Sequence, residues 1–207
     1  MAKYNNKTAL KIIIEAAKKY EEKLNDKHFL IIYRDKNVMK TVSVGFRDMN
    51  FLHMTGVKTK LSAQQFYAAC LESKLSDRDF EIDNKGKVQQ KLMVLPYLSD
   101  ILYNKCMIGN FINSGIYIRA DYFVGDTKAT LSIGFRSGNK ADFPVTLYNE
   151  DVRKLSQPTS KVLAIFSKYY NDQHYDNCTY LAKNQSIQEL MISDDVSEMI
   201  LVDENEI

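Results

Sequence analysis

Between Met107 and Tyr148 the chain repeats one pattern four times: a short run rich in β-branched and aromatic residues, then a break. The runs are Met107 to Ile112, Ile116 to Val124, Ala129 to Arg136 and Phe143 to Tyr148. Asn113-Ser114-Gly115, Gly125-Asp126 and Ser137-Gly138-Asn139 separate them. These residue types supply the backbone conformations that tight turns demand, so the spacing predicts antiparallel hairpins. A sheet of this kind has to bury at least one face. The first third of the chain offers a cover, because Thr8 to Leu24 sets Leu10, Ile13, Ile14, Ala17 and Leu24 on one helical stripe. Thr8 or the Asn5-Asn6 pair supplies its cap.

His28 to Arg34 is β-branched and aromatic, and Val38 to Phe46 alternates apolar with small or polar residues across the turn Asp35-Lys36-Asn37. Together they predict a hairpin. Phe51 to Met54 reads as a short third strand ended by Gly56. Ser62 with Gln65 forms a capping box that opens a helix to about Leu75, burying Phe66, Ala69 and Cys70. Leu98 to Tyr103 reads as helix with Pro96 in its first turn. Asp151 to Pro158 is a polar connection, and Lys161 to Tyr170 with Cys178 to Ala182 makes a final strand pair. The sum is an α+β fold, helices packed against antiparallel β-sheet, with one domain over residues 1–183 and a tail over 184–207.

The tail differs from the body in charge. The net charge of +2 divides into −7 over residues 184–207 and +9 over residues 1–183, because the tail carries no Lys or Arg. A basic body with an acidic tail fits a nucleic-acid binder with an anionic damper, and it fits equally a tail that only aids solubility. Apolar residues from Ile187 to Val202 leave a third use open, packing back on the body. Three cysteines, Cys70, Cys106 and Cys178, lack a close pair, which predicts a reducing cytoplasm. No apolar run reaches the roughly 18 residues of a membrane span, and no signal-peptide apolar region opens the chain.

The densest group of residues able to handle protons is Asn50-Phe51-Leu52-His53-Met54-Thr55-Gly56-Val57, with Lys58 and Lys60 just beyond. No His, Cys or carboxylate set has metal-ligand spacing, and no phosphate loop, dinucleotide fingerprint or nucleophile elbow occurs. The octet, with Tyr33-Arg34-Asp35 upstream and Phe66-Tyr67 downstream, resembles the phage-associated barnase/EndoU/colicin-E5-D/RelE-like nucleases, in their fourth subgroup. Leu131 to Arg136 and Pro144 to Leu147 are similar to the second half of that family, so the resemblance runs from about residue 10 to about residue 183.

The resemblance implies a barnase/EndoU/RelE-like core that cleaves RNA without metal or other cofactor, carried by a phage or mobile element and working in a bacterial host's cytoplasm. Such cleavage needs a base for the 2′-OH proton, an acid for the 5′-oxygen and donors for the phosphorane charge. Histidine as a residue type changes charge near neutrality, so His53 suits either proton role. In the predicted strand, Thr55 points to the same side and positions a phosphate oxygen. Arg34, Arg119 and Arg136, on or at the ends of predicted strands, are the charge stabilisers. Tyr33 and Tyr117 stack a base or donate a proton, and Lys58 and Lys60 steer the backbone. A histidine among Phe, Leu and Met is also often structural, so that reading stands beside the catalytic one. The target includes tRNA, mRNA or a guide RNA in a host defence nucleoprotein. A second function fits the same residues: an anti-CRISPR-like counter-defence protein that binds such a complex without catalysis. Convergence of His53 and the arginines on one cleft separates the two.

Overall fold

Asn5 opens the first helix, its side chain accepting from the Thr8 amide at 2.9 Å, a donor the helix itself leaves unpaired. The computed structural model describes residues 4–83, 86–112, 120–126, 130–190 and 193–201. Helix α1 (Asn6–Lys23) buries Ala9, Ile13, Ala16, Ala17 and Tyr20. Its buried face is thus rotated from the predicted stripe, leaving Leu10 and Ile14 half-buried. Tyr20 accounts for the rotation. Its ring meets Phe46, Phe51 and Tyr67 edge-on, and its hydroxyl donates to the Arg47 carbonyl at 2.9 Å, so the polar tip is satisfied inside the core.

Strands β1 (Lys27–Asp35) and β2 (Val38–Phe46) form the predicted hairpin, in register from Lys27 opposite Phe46 to Asp35 opposite Val38. The stretch read as a third strand is instead helix α2 (Asp48–Thr55). Phe51 and Met54 are both fully buried three positions apart, which is helical spacing, and a short apolar run does not separate that from a strand. Asn50 turns back to accept from the Arg47 amide at 2.8 Å, and Gly56, at φ 72°, closes the other end. Strand β3 (Lys58–Thr59) leads to α3 (Ala63–Leu71), opened by the Ser62–Gln65 capping box as expected. That helix stops short of Leu75, because Ser73 takes the left-handed conformation at φ 55°. β4 (Phe80–Glu81) pairs with β3. Helix α4 (Lys87–Val94) continues into a 3-10 helix over Leu95–Tyr103 that carries Pro96 at its start.

Strands β5 (Met107–Phe111), β6 (Tyr122–Asp126), β7 (Leu131–Arg136) and β8 (Phe143–Asn149) follow as an antiparallel series. Gly125 and Asp126 continue β6 rather than turning. Part of the predicted Ile116 to Val124 run lies outside the described residues. The polar connection from Asp151 holds a short helix, α5 (Val152–Leu155), and the start of β9 (Ser156–Tyr169). β9 is long because it joins two halves: residues 156–161 pair with β5 and residues 162–169 with β1. β10 (Asn177–Leu181) lies beside its second half. The strand order is β2-β1-β9-β5-β6-β7-β8, with β10 on β9.

This sheet curls until its two outer strands meet. Asp142, just before β8, bridges Val44 of β2 through Gly45 N to Asp142 O at 2.8 Å and Asp142 N to Ser43 O at 2.9 Å. Phe46, on the seam strand, is fully buried and meets Phe29 and Phe135 edge-on at 5.7 and 6.0 Å, packing both sides of the closure onto one core. The helices cover this inner face. On the opposite face Leu30, Ile32, Ala164 and Phe166 form a smaller core with Tyr175 and Leu190.

The acidic segment contributes to that second core. Leu190 is buried, Ile187, Val196 and Ile200 pack beside it, and Tyr175 exchanges backbone hydrogen bonds with Met199 and Leu201. Helix α6 (Asp194–Ser197) sits within this segment, and residues 187–189 before it form a turn. Among the described residues no helix is long and apolar enough to cross a membrane.

Candidate functional site

The seam between β2 and β8 is bridged at one point, and beside that bridge opens a cleft of about 550 Å³. Gly45 comes from β2 and Asp142, Phe143, Pro144 and Val145 from the facing segment. Arg47, Met49, Asn50 and His53 come from the entry and one face of α2, Ala63 from α3 and Tyr170 from the end of β9. His53 is exposed on this face, with Phe51 and Met54 buried on the other. The helix end that carries it is tied down from below. Lys91 of α4 donates to the His53 carbonyl at 2.8 Å, placing a cation at the negative end of the helix dipole. Burial pushes that ammonium down to about 8.

Arg47 sits six residues before His53, about 9 Å along a helix axis. Three contacts hold it: its guanidinium lies 3.2 Å from the Tyr170 ring centroid, Nη1 donates to the Asp26 carboxylate at 2.7 Å, and Tyr20 holds its carbonyl. Asp26 occupies the left-handed region at φ 56° in the turn from α1 to β1, and its carbonyl accepts from the Tyr170 amide at 2.9 Å. One residue thus aligns both members of the stack. Among the described residues no other side chain accepts from this guanidinium, so its remaining N–H groups are available at the cleft wall.

His28 stands behind the wall. It lies opposite Gly45 in the hairpin register, and a Cβ at Gly45 would come within 3.0 Å of its Nε2, so only glycine leaves the ring in place. The ring also meets Tyr170 edge-on at 4.1 Å. Its Nε2 is buried and has no hydrogen-bond partner among the described residues. Burial first, then the charges of Lys168 and Arg47, lowers its pKa, with Asp26 opposing, so the ring is held neutral. Asp142, across the cleft, is occupied with structure: it accepts from the Tyr122 hydroxyl at 2.8 Å and the Gly138 amide at 3.2 Å. Burial and that carboxylate push the Tyr122 hydroxyl well above its usual range, so it stays a donor.

The residues singled out from the sequence do not converge. Among the described ones only His53 lines this cleft. Thr55 is fully buried, its hydroxyl donating to Leu52 O at 2.8 Å and accepting from the Val57 amide at 3.3 Å. The predicted strand geometry, which aimed Thr55 with the histidine, fails because the segment is helical. Arg34 lies at the far end of β1, six residues or about 20 Å of strand from His28. It lines a separate depression with Lys36 and Lys161, and Tyr33 a small one with Lys40 and Tyr122. Lys58 and Lys60 line a groove with Arg78 and Glu81. Arg136 is exposed at the end of β7, opposite Phe143, which does line the cleft. Arg119 and Tyr117 lie outside the described residues. Arg47 and Tyr170 line the cleft without having been singled out from the sequence. The Arg47 position carries a local signal, the return of Asn50 to a helix entry closed by Gly56, whereas nothing local marks Tyr170. Among the described residues no group of three or more His, Cys, Asp or Glu is placed to hold a metal ion.

The domain is α+β, a curled antiparallel sheet with helices on its inner face, and the cleft at its seam holds a histidine and an arginine. The family model described as phage-Barnase-EndoU-ColicinE5/D-RelE like nuclease4 matches residues 12–184, and the chain belongs to that family. Neither the curated proteins nor the solved structures give a match to it.

Proposed function

We propose that this chain is an endoribonuclease whose active site is the seam cleft, with His53 as the proton-transfer group and Arg47 as the cation on the scissile phosphate. The observation that carries the reading is the pairing, in one cleft, of an exposed histidine with a guanidinium held by Asp26 and Tyr170. His53 takes the 2′-OH proton as the 2′-oxygen attacks phosphorus. The bond from phosphorus to the 5′-oxygen breaks, leaving a 2′,3′-cyclic phosphate, and the departing oxygen takes a proton from water in the open cleft. Arg47 meets the charge on the non-bridging oxygens with a rigid fork of donors. Met49, Phe143 and Pro144 give the cleft the apolar walls that suit a nucleobase.

Labelled total RNA incubated with the protein in excess chelator is expected to yield discrete fragments ending in cyclic phosphate, because the proposed mechanism uses side chains and water and no metal ion. Activity lost with the chelator and restored by a divalent ion would falsify the metal-free step.

The spread of Arg34, Lys58, Lys60 and Arg136 over separate surfaces favours a second reading. In it the protein binds a host nucleic-acid-handling complex through several basic patches and inhibits it without cleaving. Intact RNA in the same digest, together with capture of such a complex, selects this reading.

A further inference from the structure

At the opposite end of the β1–β2 hairpin from the cleft lies a depression of about 330 Å³. Arg34 and Lys36 enter it from the end of the hairpin, and Thr159, Ser160 and Lys161 from the first half of β9. All three cations are exposed, and among the described residues none of them has an ion pair or hydrogen bond. Elsewhere the chain pairs such groups, Lys23 with Asp100, Lys74 with Glu72 and Arg153 with Asp151. Like charges brought together repel one another. The carboxylate that lines the depression, Asp35, is held by Lys40 at 2.5 Å and lies near Lys36, so it offsets only part of that repulsion.

A guanidinium fork with two ammoniums and two hydroxyls around it matches a phosphodiester, whose non-bridging oxygens each accept several hydrogen bonds. We infer that the depression of Arg34, Lys36 and Lys161 binds a backbone phosphate of the RNA, remote from the one that is cut. The hairpin sets the separation, since about 20 Å of β1 lies between Arg34 and His28 behind the cleft wall. β2, outermost in the sheet, runs from Val38 beside Asp35 to Gly45 in the cleft lining. An RNA has to extend well past the scissile phosphate to reach the depression. The site therefore favours long substrates over short ones and reads no sequence. The inference rests on the cleft being the RNA site and adds a distant anchor for the substrate.

Fluorescence anisotropy over a series of salt concentrations tests it, with a long RNA strand 2′-O-methylated so that it is not cut. Arg34→Gln combined with Lys161→Gln is expected to weaken binding about tenfold or more, as when one charge-assisted hydrogen bond is lost. The dependence of log Kd on log salt is expected to flatten by about 0.7 for each phosphate released. Lys11→Gln combined with Lys19→Gln removes the same charge from the exposed side of α1 and is expected to bind nearly as wild type. Cleavage of an unmethylated dinucleotide, too short to span both sites, is expected to proceed at the wild-type rate in the Arg34 and Lys161 variant. Wild-type affinity and salt dependence in that variant overturn the site, as does an equal loss in the α1 variant. Slowed dinucleotide cleavage places the effect in the cleft and overturns it as well. Failure of the cleft chemistry shows separately, as wild-type dinucleotide cleavage retained by His53→Ala, with the binding loss in the Arg34 and Lys161 variant unaltered.

Discussion

His53→Ala is expected to lower RNA cleavage about 10²–10⁴-fold, the usual worth of a general acid or base, with little change in stability. The two expectations have different origins. The imidazole lies on the exposed face of α2, so its removal opens no cavity, while Phe51 and Met54 keep the helix on the core. The backbone carbonyl that Lys91 holds is present whichever residue stands there. Alanine is also a better helix former than histidine. Single-turnover rates with excess enzyme, alongside a thermal melt, separate chemistry from unfolding. A variant that cleaves at the wild-type rate makes His53 a solvated helix residue and ends the proposed mechanism.

Arg47→Ala is expected to cost about 10²–10³-fold in the chemical step, comparable to losing one preorganised donor to a developing oxyanion. Its contacts make the result readable. The ion pair with Asp26 is between side chains 43% and 49% exposed, so solvent screening keeps it worth about 0–1 kcal/mol of stability. The carbonyl that accepts from Tyr20 is backbone and survives the substitution. A large loss in rate therefore cannot come from a small loss in folding. Arg47→Lys keeps a charge but loses the planar fork and the flat stack on Tyr170, and it is expected to recover only part of the rate. Rates measured at saturating RNA decide the point. An alanine variant within about twofold of wild type leaves the guanidinium without a role in the chemical step.

Much of the fold was legible because its signals are local. The β1–β2 hairpin follows from alternation across Lys36 and Asn37, and the Ser62–Gln65 box needs only four residues to declare itself. Resemblance in the Asn50–Val57 octet and the Leu131–Arg136 strand was enough to point to the family. The cleft was less legible. Phe51 to Met54 has too few residues for its period to separate strand from helix, and that misreading carried Thr55 into the site with His53. Arg47 and Tyr170 meet through Asp26, a contact made by folding a hairpin and a distant strand end together. The predicted arginines shared a residue type and a place on strands, but strand ends point to both ends of a sheet. His28 and Arg34 lie near opposite ends of the same strand and reach different surfaces for that reason.

The chain holds three histidines, His28, His53 and His174, so their ring signals are few enough to assign by substitution in an NMR spectrum. Titration with a single-stranded oligonucleotide that lacks the 2′-hydroxyl at the cleavage position reports binding without turnover. The seam cleft as RNA site predicts a saturable shift of the His53 ring signals, following the same curve as binding measured by anisotropy and weakened in Arg47→Ala. An oligonucleotide that binds with the His53 signals unmoved places RNA elsewhere on the protein and contradicts the account.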